Sequence, residues 1–127
     1  MIAPVRPVAA VALVLSAGLV LAAGYPWGDM AGHTHWSRVG WIPFVSRPVR
    51  RLDIAQNLLL CVPLGAVAGF TFKRGVLIAA ALAIPLSLFV ETMQLYSHFR
   101  FPSGTDVICN IAGAILAAEF AHLARSR

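Results

Sequence analysis

The sequence predicts an all-α integral membrane protein: a bundle of four transmembrane helices with a first loop that lies at the membrane interface. Of its 127 residues, 59% are hydrophobic and only 12% are charged. A soluble domain of this size cannot bury so much apolar surface, so lipid must act as part of its solvent. Four apolar runs each approach the ~20 residues that cross ~30 Å of hydrocarbon. At this length we expect a single domain, residues 1–127.

The four runs are expected to be helices, because backbone groups in lipid must find hydrogen bonds within their own segment. Their predicted ranges are 8–24, 54–72, 75–96 and 106–124. Pro63 and Pro85 fall inside the second and third runs, where a proline is tolerated and often kinks the helix. Ser103 or Thr105 can cap the start of the fourth helix, whose dipole Asp106 complements.

The connections predict a hairpin and an interfacial loop. Little more than Lys73 and Arg74 separates the second helix from the third, so these two helices should form an antiparallel hairpin with a basic tip. The longest connection contains all three tryptophans, Trp27, Trp36 and Trp41. Tryptophan prefers the headgroup layer, so we expect this loop to lie along the interface, with room for a short interfacial helix.

The start of the chain has two interpretations. Arg6, the apolar run after it and the small-residue exit at 20–22 also resemble a signal peptide with its cleavage site. The run is somewhat long for a signal core, so the sequence favours a retained transmembrane helix. An intact N-terminus in the mass spectrum of the purified protein would exclude cleavage.

The distribution of basic residues does not orient the chain. Helix parity places both termini and the hairpin tip on one side of the membrane, and the other two connections on the opposite side. Each side carries five basic residues: Arg6, Lys73, Arg74, Arg125 and Arg127 against Arg38, Arg47, Arg50, Arg51 and Arg100. The positive-inside rule therefore does not decide which side of the membrane the termini lie on.

Three acids lie in or beside the apolar runs, each with an amide three or four residues later. The pairs are Asp53 with Asn57, Glu91 with Gln94, and Asp106 with Asn110. Residues at this spacing share a helix face, and polar faces turned to lipid are costly, so each pair should point into the bundle. The second and fourth helices start at the membrane face where the third ends. At 1.5 Å per residue, the three pairs should form one polar layer roughly 6–8 Å below the helix ends.

Arg100, in the connection between the third and fourth helices, is the expected counter-charge of this layer, since its planar fork can bridge two carboxylates. The alternative is that the layer only fixes helix packing. Asp53 and Asp106 also suit the dipole at a helix start. Glu91 has no such explanation, because it lies near the C-terminal end of its helix, where the dipole disfavours an anion.

In order and spacing, these residues resemble the VanZ-like family, which is named for a teicoplanin-resistance protein. The matching positions are Pro43, Phe44, Asp53, Asn57, Pro63, Leu64, Gly65, Glu91, Gln94, Arg100, Asp106, Asn110 and Gly113. The resemblance implies a multi-pass protein of the cell membrane and a role in resistance to glycopeptide antibiotics. Such antibiotics act outside the cytoplasmic membrane. The resemblance therefore also implies a polar layer at the outer leaflet and both termini in the cytoplasm.

Four functional hypotheses stay open at this point. The preferred one is a non-enzymatic protein whose polar layer binds or shields an envelope component or a glycopeptide; the residues that would do so are Asp53, Asn57, Glu91, Gln94, Arg100, Asp106 and Asn110. A second is a membrane enzyme in which Glu91 and Asp106 are the candidate catalytic acid and base toward a lipid-linked substrate. A third is a small proton-linked transporter, since buried acids often serve as relays. A fourth is a scaffold in which the layer only sets helix register.

The remaining polar residues indicate no further chemistry. His33 and His35, with Asp29 nearby, lack another ligand at metal spacing, so we expect no metal site and no cofactor. Cys61 and Cys109 lie in apolar runs and should be buried thiols without a disulfide. The net charge of +5 comes from short clusters between apolar runs, which favours anionic lipid headgroups over nucleic acid as the partner. Nothing predicts an oligomeric state.

Overall fold

A computed structural model describes residues 7–127 of the chain. The α-helices in this range are α1 Pro7–Gly24, α2 Arg51–Leu60, α3 Val62–Thr71, α4 Gly75–Gln94 and α5 Gly104–Arg125. Because α2 and α3 run on as one span, residues 7–127 contain four segments that are long and apolar enough to cross a membrane. The predicted all-α fold with four spans is therefore confirmed. Arg6, which enters both the charge count and the signal-peptide alternative, lies outside the described residues.

The second span is two helices with a break at Cys61, and not the one continuous helix predicted for 54–72. Cys61 has φ −95° and ψ 0°, and its N–H bonds the carbonyl of Leu59 in place of an α-helical partner. Pro63 explains the break, because it has no N–H to donate to that carbonyl and its ring would clash with it. The break thus lies where the sequence indicates a kink, and the span begins at Arg51, three residues earlier than the predicted start at 54.

Two other helix boundaries differ from the prediction by two residues. α4 ends at Gln94 and not at 96, and α5 begins at Gly104 and not at 106. Ser103 caps α5 by accepting a hydrogen bond from the Thr105 N–H at 3.1 Å. Helix starts with polar first turns give no hydrophobic signal, which is why the apolar runs place the starts of both α2 and α5 too late.

Small residues let α3 and α5 approach each other closely. A Cβ added to Gly65 would lie 2.0 Å from the carbonyl oxygen of Ala114, and one added to Gly69 would lie 2.2 Å from that of Ala118. The glycines and the alanines recur at four-residue steps on facing helices, the pattern that brings membrane helices into backbone contact. α5 also packs against α2 and α4, whereas α1 packs against α3 and α4.

One end of the bundle holds the hairpin tip and the C-terminus. Lys73 and Arg74 form the exposed turn between α3 and α4, so the predicted hairpin is confirmed. Arg125, in the last turn of α5, donates a hydrogen bond to the carbonyl of Phe70 at 3.1 Å. Large apolar side chains on the outer faces, such as Leu77 on α4, are exposed, as a helix face toward lipid requires.

The opposite end of the bundle is closed by loops. The first loop, residues 25–50, packs on the connection between α4 and α5: the Gly40 N–H donates to the carbonyl of Pro102, and the Gly104 N–H donates to the carbonyl of Gly40, both at 2.9 Å. The first loop, for which the sequence allows a short interfacial helix, contains a single 3₁₀ turn, Trp36–Arg38. All three tryptophans of this loop are exposed.

Candidate functional site

All seven residues of the predicted polar layer line one cavity at the loop-covered end of the bundle. They are Asp53, Asn57, Glu91, Gln94, Arg100, Asp106 and Asn110. The cavity has a volume of about 570 Å³, within the range of about 300–1,000 Å³ that is typical of small-molecule sites. The structure therefore brings these residues together. That they bind a ligand stays a prediction.

Two of the amides tie helices together. The Nδ2 of Asn57 donates to Oδ1 of Asp106 at 3.0 Å and so joins α2 to α5. The Nε2 of Gln94 donates to the carbonyl of Gly24 at 2.9 Å and so joins α4 to α1. Such polar contacts across membrane helices contribute about 0.6–2 kcal/mol each. These two bonds, one of which uses the carboxylate of Asp106 as its acceptor, provide part of the helix packing that the alternative explanation assigned to the whole layer.

Asn110 makes a similar contact but is only half satisfied. Its Nδ2 donates to the Oγ of Ser87 at 3.1 Å and so joins α5 to α4. Its Oδ1 is buried without a hydrogen-bond partner in residues 7–127, and the residue is only 2% exposed. A buried amide oxygen that lacks a donor costs about 1–3 kcal/mol. The cavity is therefore lined by a residue whose buried amide oxygen lacks a donor.

The carboxylates are less completely paired than the amides. Glu91 is 8% exposed, and one of its oxygens accepts a hydrogen bond from the Ser103 N–H at 2.8 Å. Asp106 accepts the bond from Asn57, whereas no described donor bonds the carboxylate of Asp53. A buried carboxylate is costly unless it is paired or protonated. Among the three acids only Glu91 is buried, whereas Asp53 and Asp106 are half-buried, and none of them forms an ion pair in the described residues.

Arg100 lies beside the acids but does not bridge them. Its side chain is exposed where it lines the cavity, and no ion pair or hydrogen bond joins it to an acid among the described residues. Its backbone N–H is held by the Oγ of Ser97 at 2.8 Å, which fixes this residue in the loop above the helix ends, where its side chain can stay hydrated. The expected salt bridge is therefore wrong, although the cation lines the same cavity.

Asp29 anchors the connection that carries Arg100. Its carboxylate accepts hydrogen bonds from the hydroxyl of Ser97, from the His98 N–H at 3.1 Å and from the Phe99 N–H at 3.2 Å. These bonds, with that of Ser97 the strongest, hold the pKa of Asp29 below its ordinary value. Asp29 therefore has a structural role in the loop that the sequence did not indicate.

The histidines and cysteines form no recognisable reactive centre. The rings of His33, His35 and His98 lie together, with centroids 4.6–5.9 Å apart. No three His, Cys, Asp or Glu side chains in residues 7–127 are placed to hold a metal ion. Cys61 and Cys109 are buried free thiols, as predicted.

Some residues of the site were not anticipated. Gln56, Phe99 and Phe101 also line the cavity, and Ser87 is fully buried on α4. Ser87 lies four residues before Glu91, so helical spacing was a usable signal that they share a face. Phe99 and Phe101 belong to a turn-rich connection, where no periodicity indicates the direction of a side chain.

The fold and the cavity define a small multi-pass membrane protein with a polar cavity at one end of a helical bundle. The VanZ/LLP1 family model matches residues 8–125, nearly the whole chain. The chain therefore belongs to the VanZ/LLP1 family, and the resemblance noted in the sequence is confirmed. No match is found among curated proteins or among solved structures.

Proposed function

We propose that this protein acts in the cell envelope by binding an envelope component or a glycopeptide in its polar cavity at the outer leaflet, and that lower susceptibility to teicoplanin is one result. The observation that carries the proposal is the placement of three carboxylates and an arginine around one cavity of about 570 Å³. The family's name-giving link to teicoplanin resistance supports the choice of drug.

The pattern of hydrogen bonds supports binding over a scaffold role. A scaffold needs only groups that join helices, and the amides of Asn57, Gln94 and Asn110 supply those. Two of the acids, Glu91 and Asp106, share in this packing as hydrogen-bond acceptors, so the support for binding comes from the third acid. Asp53 in particular joins no helix through its carboxylate among the described residues, yet it lines the cavity.

We infer that both termini lie in the cytoplasm. The cavity lies at the end of the bundle opposite the hairpin tip, and the contact of Arg125 with Phe70 holds the C-terminus at the tip. An outward-facing cavity therefore directs the tip and the C-terminus inward.

A susceptibility assay tests the proposed function. The wild-type chain, Glu91→Gln and Glu119→Gln would be expressed in a susceptible Gram-positive host, with the amount of protein in the membrane matched by immunoblot. Glu119 is the matched control, since it is an exposed acid near the other end of α5. We expect the wild type and Glu119→Gln to raise the inhibitory concentration of teicoplanin severalfold, and Glu91→Gln to raise it little. No rise with the wild-type protein would reject the resistance role.

A membrane enzyme is a second candidate, supported by the position of Glu91 and Asp106 on the wall of the same cavity as Arg100. In that case the two acids would exchange protons with a lipid-linked substrate, and Arg100 would hold its phosphate or carboxylate. Turnover of such a substrate by the purified protein, lost in Glu91→Gln, would favour this candidate. Full turnover by that variant would remove Glu91 from the mechanism.

A further inference from the structure

We propose that the cavity binds a primary ammonium group, carried either by a lipid headgroup or by a soluble amine. This inference rests on the proposed function, because it names the class of ligand that the same cavity takes. It has two independent supports in the structure: an excess of acidic over basic residues around the cavity, and a buried hydrogen-bond acceptor without a partner, among residues 7–127, on a residue that lines it.

The first support is the charge around the cavity. Asp53, Glu91 and Asp106 face it with three carboxylates, whereas Arg100 is the one basic residue among those that line it. Arg100 is exposed and forms no ion pair with these acids in the described part of the chain. A cation on the ligand would supply a partner for Glu91, which is buried, and for Asp53 and Asp106, which are half-buried.

The second support is the amide of Asn110. Its Oδ1 is buried, has no partner in residues 7–127, and belongs to a side chain that lines the cavity. An acceptor in this position requires a ligand with an N–H or O–H donor. A primary ammonium brings three N–H donors, whereas a quaternary ammonium brings none. The amide oxygen of Asn110 therefore favours a cation that has N–H donors over one that has none.

The geometry favours an ammonium over a bare metal ion. No three acidic, histidine or cysteine side chains in the described range are placed to hold a metal. The volume of about 570 Å³ is that of a molecule and not of a single ion. Arg100, beside the acids, is in place for an anionic group attached to the ammonium, such as a phosphate.

A lipid is the favoured source of the ammonium. A second cavity, an apolar groove of about 600 Å³, is lined by side chains of α1 and α4 that include Leu21 and Phe89. Both helices also line the polar cavity, α1 through Gly24 and α4 through Glu91. An acyl chain in the groove would thus lie along the same two helices whose ends face the cavity.

The experiment is a lipid competition with the purified full chain in detergent, read by native mass spectrometry. The probes are short-chain phosphatidylethanolamine, phosphatidylcholine and phosphatidylglycerol, and soluble ethanolamine. We expect saturable binding of phosphatidylethanolamine, and binding of phosphatidylcholine weaker by about tenfold or more, because its headgroup has no N–H donor for Asn110. Binding of ethanolamine as tight as that of the lipid would support the ammonium and assign it to a soluble source. Equal binding of the three lipids, or a preference for phosphatidylglycerol, would overturn the inference.

Substitutions of cavity residues test whether the cavity causes the preference for phosphatidylethanolamine over phosphatidylcholine. Asn110→Leu and Glu91→Gln should each reduce the preference for phosphatidylethanolamine over phosphatidylcholine severalfold, and Glu119→Gln should preserve it. If Asn110→Leu fails to fold, Glu91→Gln decides the question: an unchanged preference in that variant would reject the site.

The two proposals fail separately. A change in teicoplanin susceptibility that depends on Glu91, without selective binding of an ammonium, would reject only the ligand class. Selective binding without any change in susceptibility would reject only the resistance role.

Discussion

Glu91 is the residue whose position helix packing explains least. It lies in the last turn of α4, where the dipole disfavours an anion, and it is only 8% exposed. Its hydrogen bond comes from the backbone N–H of Ser103, just before α5. The side chain therefore both closes the end of the bundle and faces the cavity, and substitutions can separate these two roles.

Two substitutions of Glu91 should differ in stability. Glu91→Gln keeps an acceptor for the Ser103 N–H and replaces the buried carboxyl group with an uncharged group of the same shape, so its midpoint of thermal unfolding should stay close to that of the wild type. Glu91→Ala leaves the N–H without an acceptor and should lower the free energy of unfolding by about 1–3 kcal/mol. Unfolding followed by circular dichroism in detergent measures both. If both variants lost the same free energy of unfolding, the carboxyl group itself, and not its role as an acceptor for the Ser103 N–H, would stabilise the fold.

Asp29 should make the loops sensitive to acid. Its pKa lies below the ordinary value of 3.8 in the folded protein, so the unfolded chain takes up this proton more readily than the folded one. The stability that this difference provides is complete well above pH 3.8 and is lost as the pH falls through the folded-state pKa.

The measurement for Asp29 compares thermal unfolding of the wild type and Asp29→Asn at about pH 7 and about pH 3. The midpoint of the wild type should fall more on acidification than that of the variant, in which position 29 does not titrate. The other acids are common to both proteins and cancel in the comparison. A larger acid effect in the variant would contradict the anchoring role of Asp29.

At the scale of helices, the break at Cys61 divides the second span into two parts with different tasks. α2 carries Asp53 and Asn57 to the cavity, while α3 carries Gly65 and Gly69 to the contact with α5. Each half can thus take the rotation that its own contacts require, which a continuous helix would not allow.

The contact between α3 and α5 should tolerate no added methyl group at Gly69. Gly69→Ala would place a Cβ 2.2 Å from the carbonyl oxygen of Ala118, and forcing the helices apart should reduce stability by about 1–3 kcal/mol. Gly18→Ala is the control, since nothing lies within 4 Å of its added Cβ and alanine favours a helix over glycine by about 0.5–1 kcal/mol. Thermal unfolding of both variants decides the matter, and similar midpoints would disprove the close contact.

The sequence predicted the spans and the direction of the polar faces because both follow from local periodicity. Asp53 and Asn57 had to share a face, and that face had to avoid lipid. The partner of each amide was beyond prediction, because the bond from Asn57 to Asp106 depends on the rotation of two helices that only tertiary packing sets. The same applies to Arg100, whose position is set by loop contacts with Ser97.

At the scale of the whole molecule, the cavity and the hairpin tip lie at opposite ends, so labelling from one side of the membrane can orient the protein. Ser46→Cys lies in the exposed first loop and Lys73→Cys in the tip, while the native Cys61 and Cys109 are 0% and 4% exposed and add little background. An impermeant thiol reagent on intact cells should label Ser46→Cys and not Lys73→Cys. The reverse result would invert the orientation that we infer, and labelling of both would contradict the opposite placement of the two sites.

α5 packs at the centre of the bundle, and its late synthesis affects how the protein assembles in the membrane. Of the four described spans α5 is synthesised last, and it packs against α2, α3 and α4. Until then Gly65 and Gly69 have no facing helix, and Asn57 has no Asp106 to bind. The nascent protein thus passes through a stage in which polar side chains are inserted without all of their partners, which is costly in lipid. Substitutions in α5 should therefore reduce the amount of protein that accumulates in the cell more than comparable substitutions in α1.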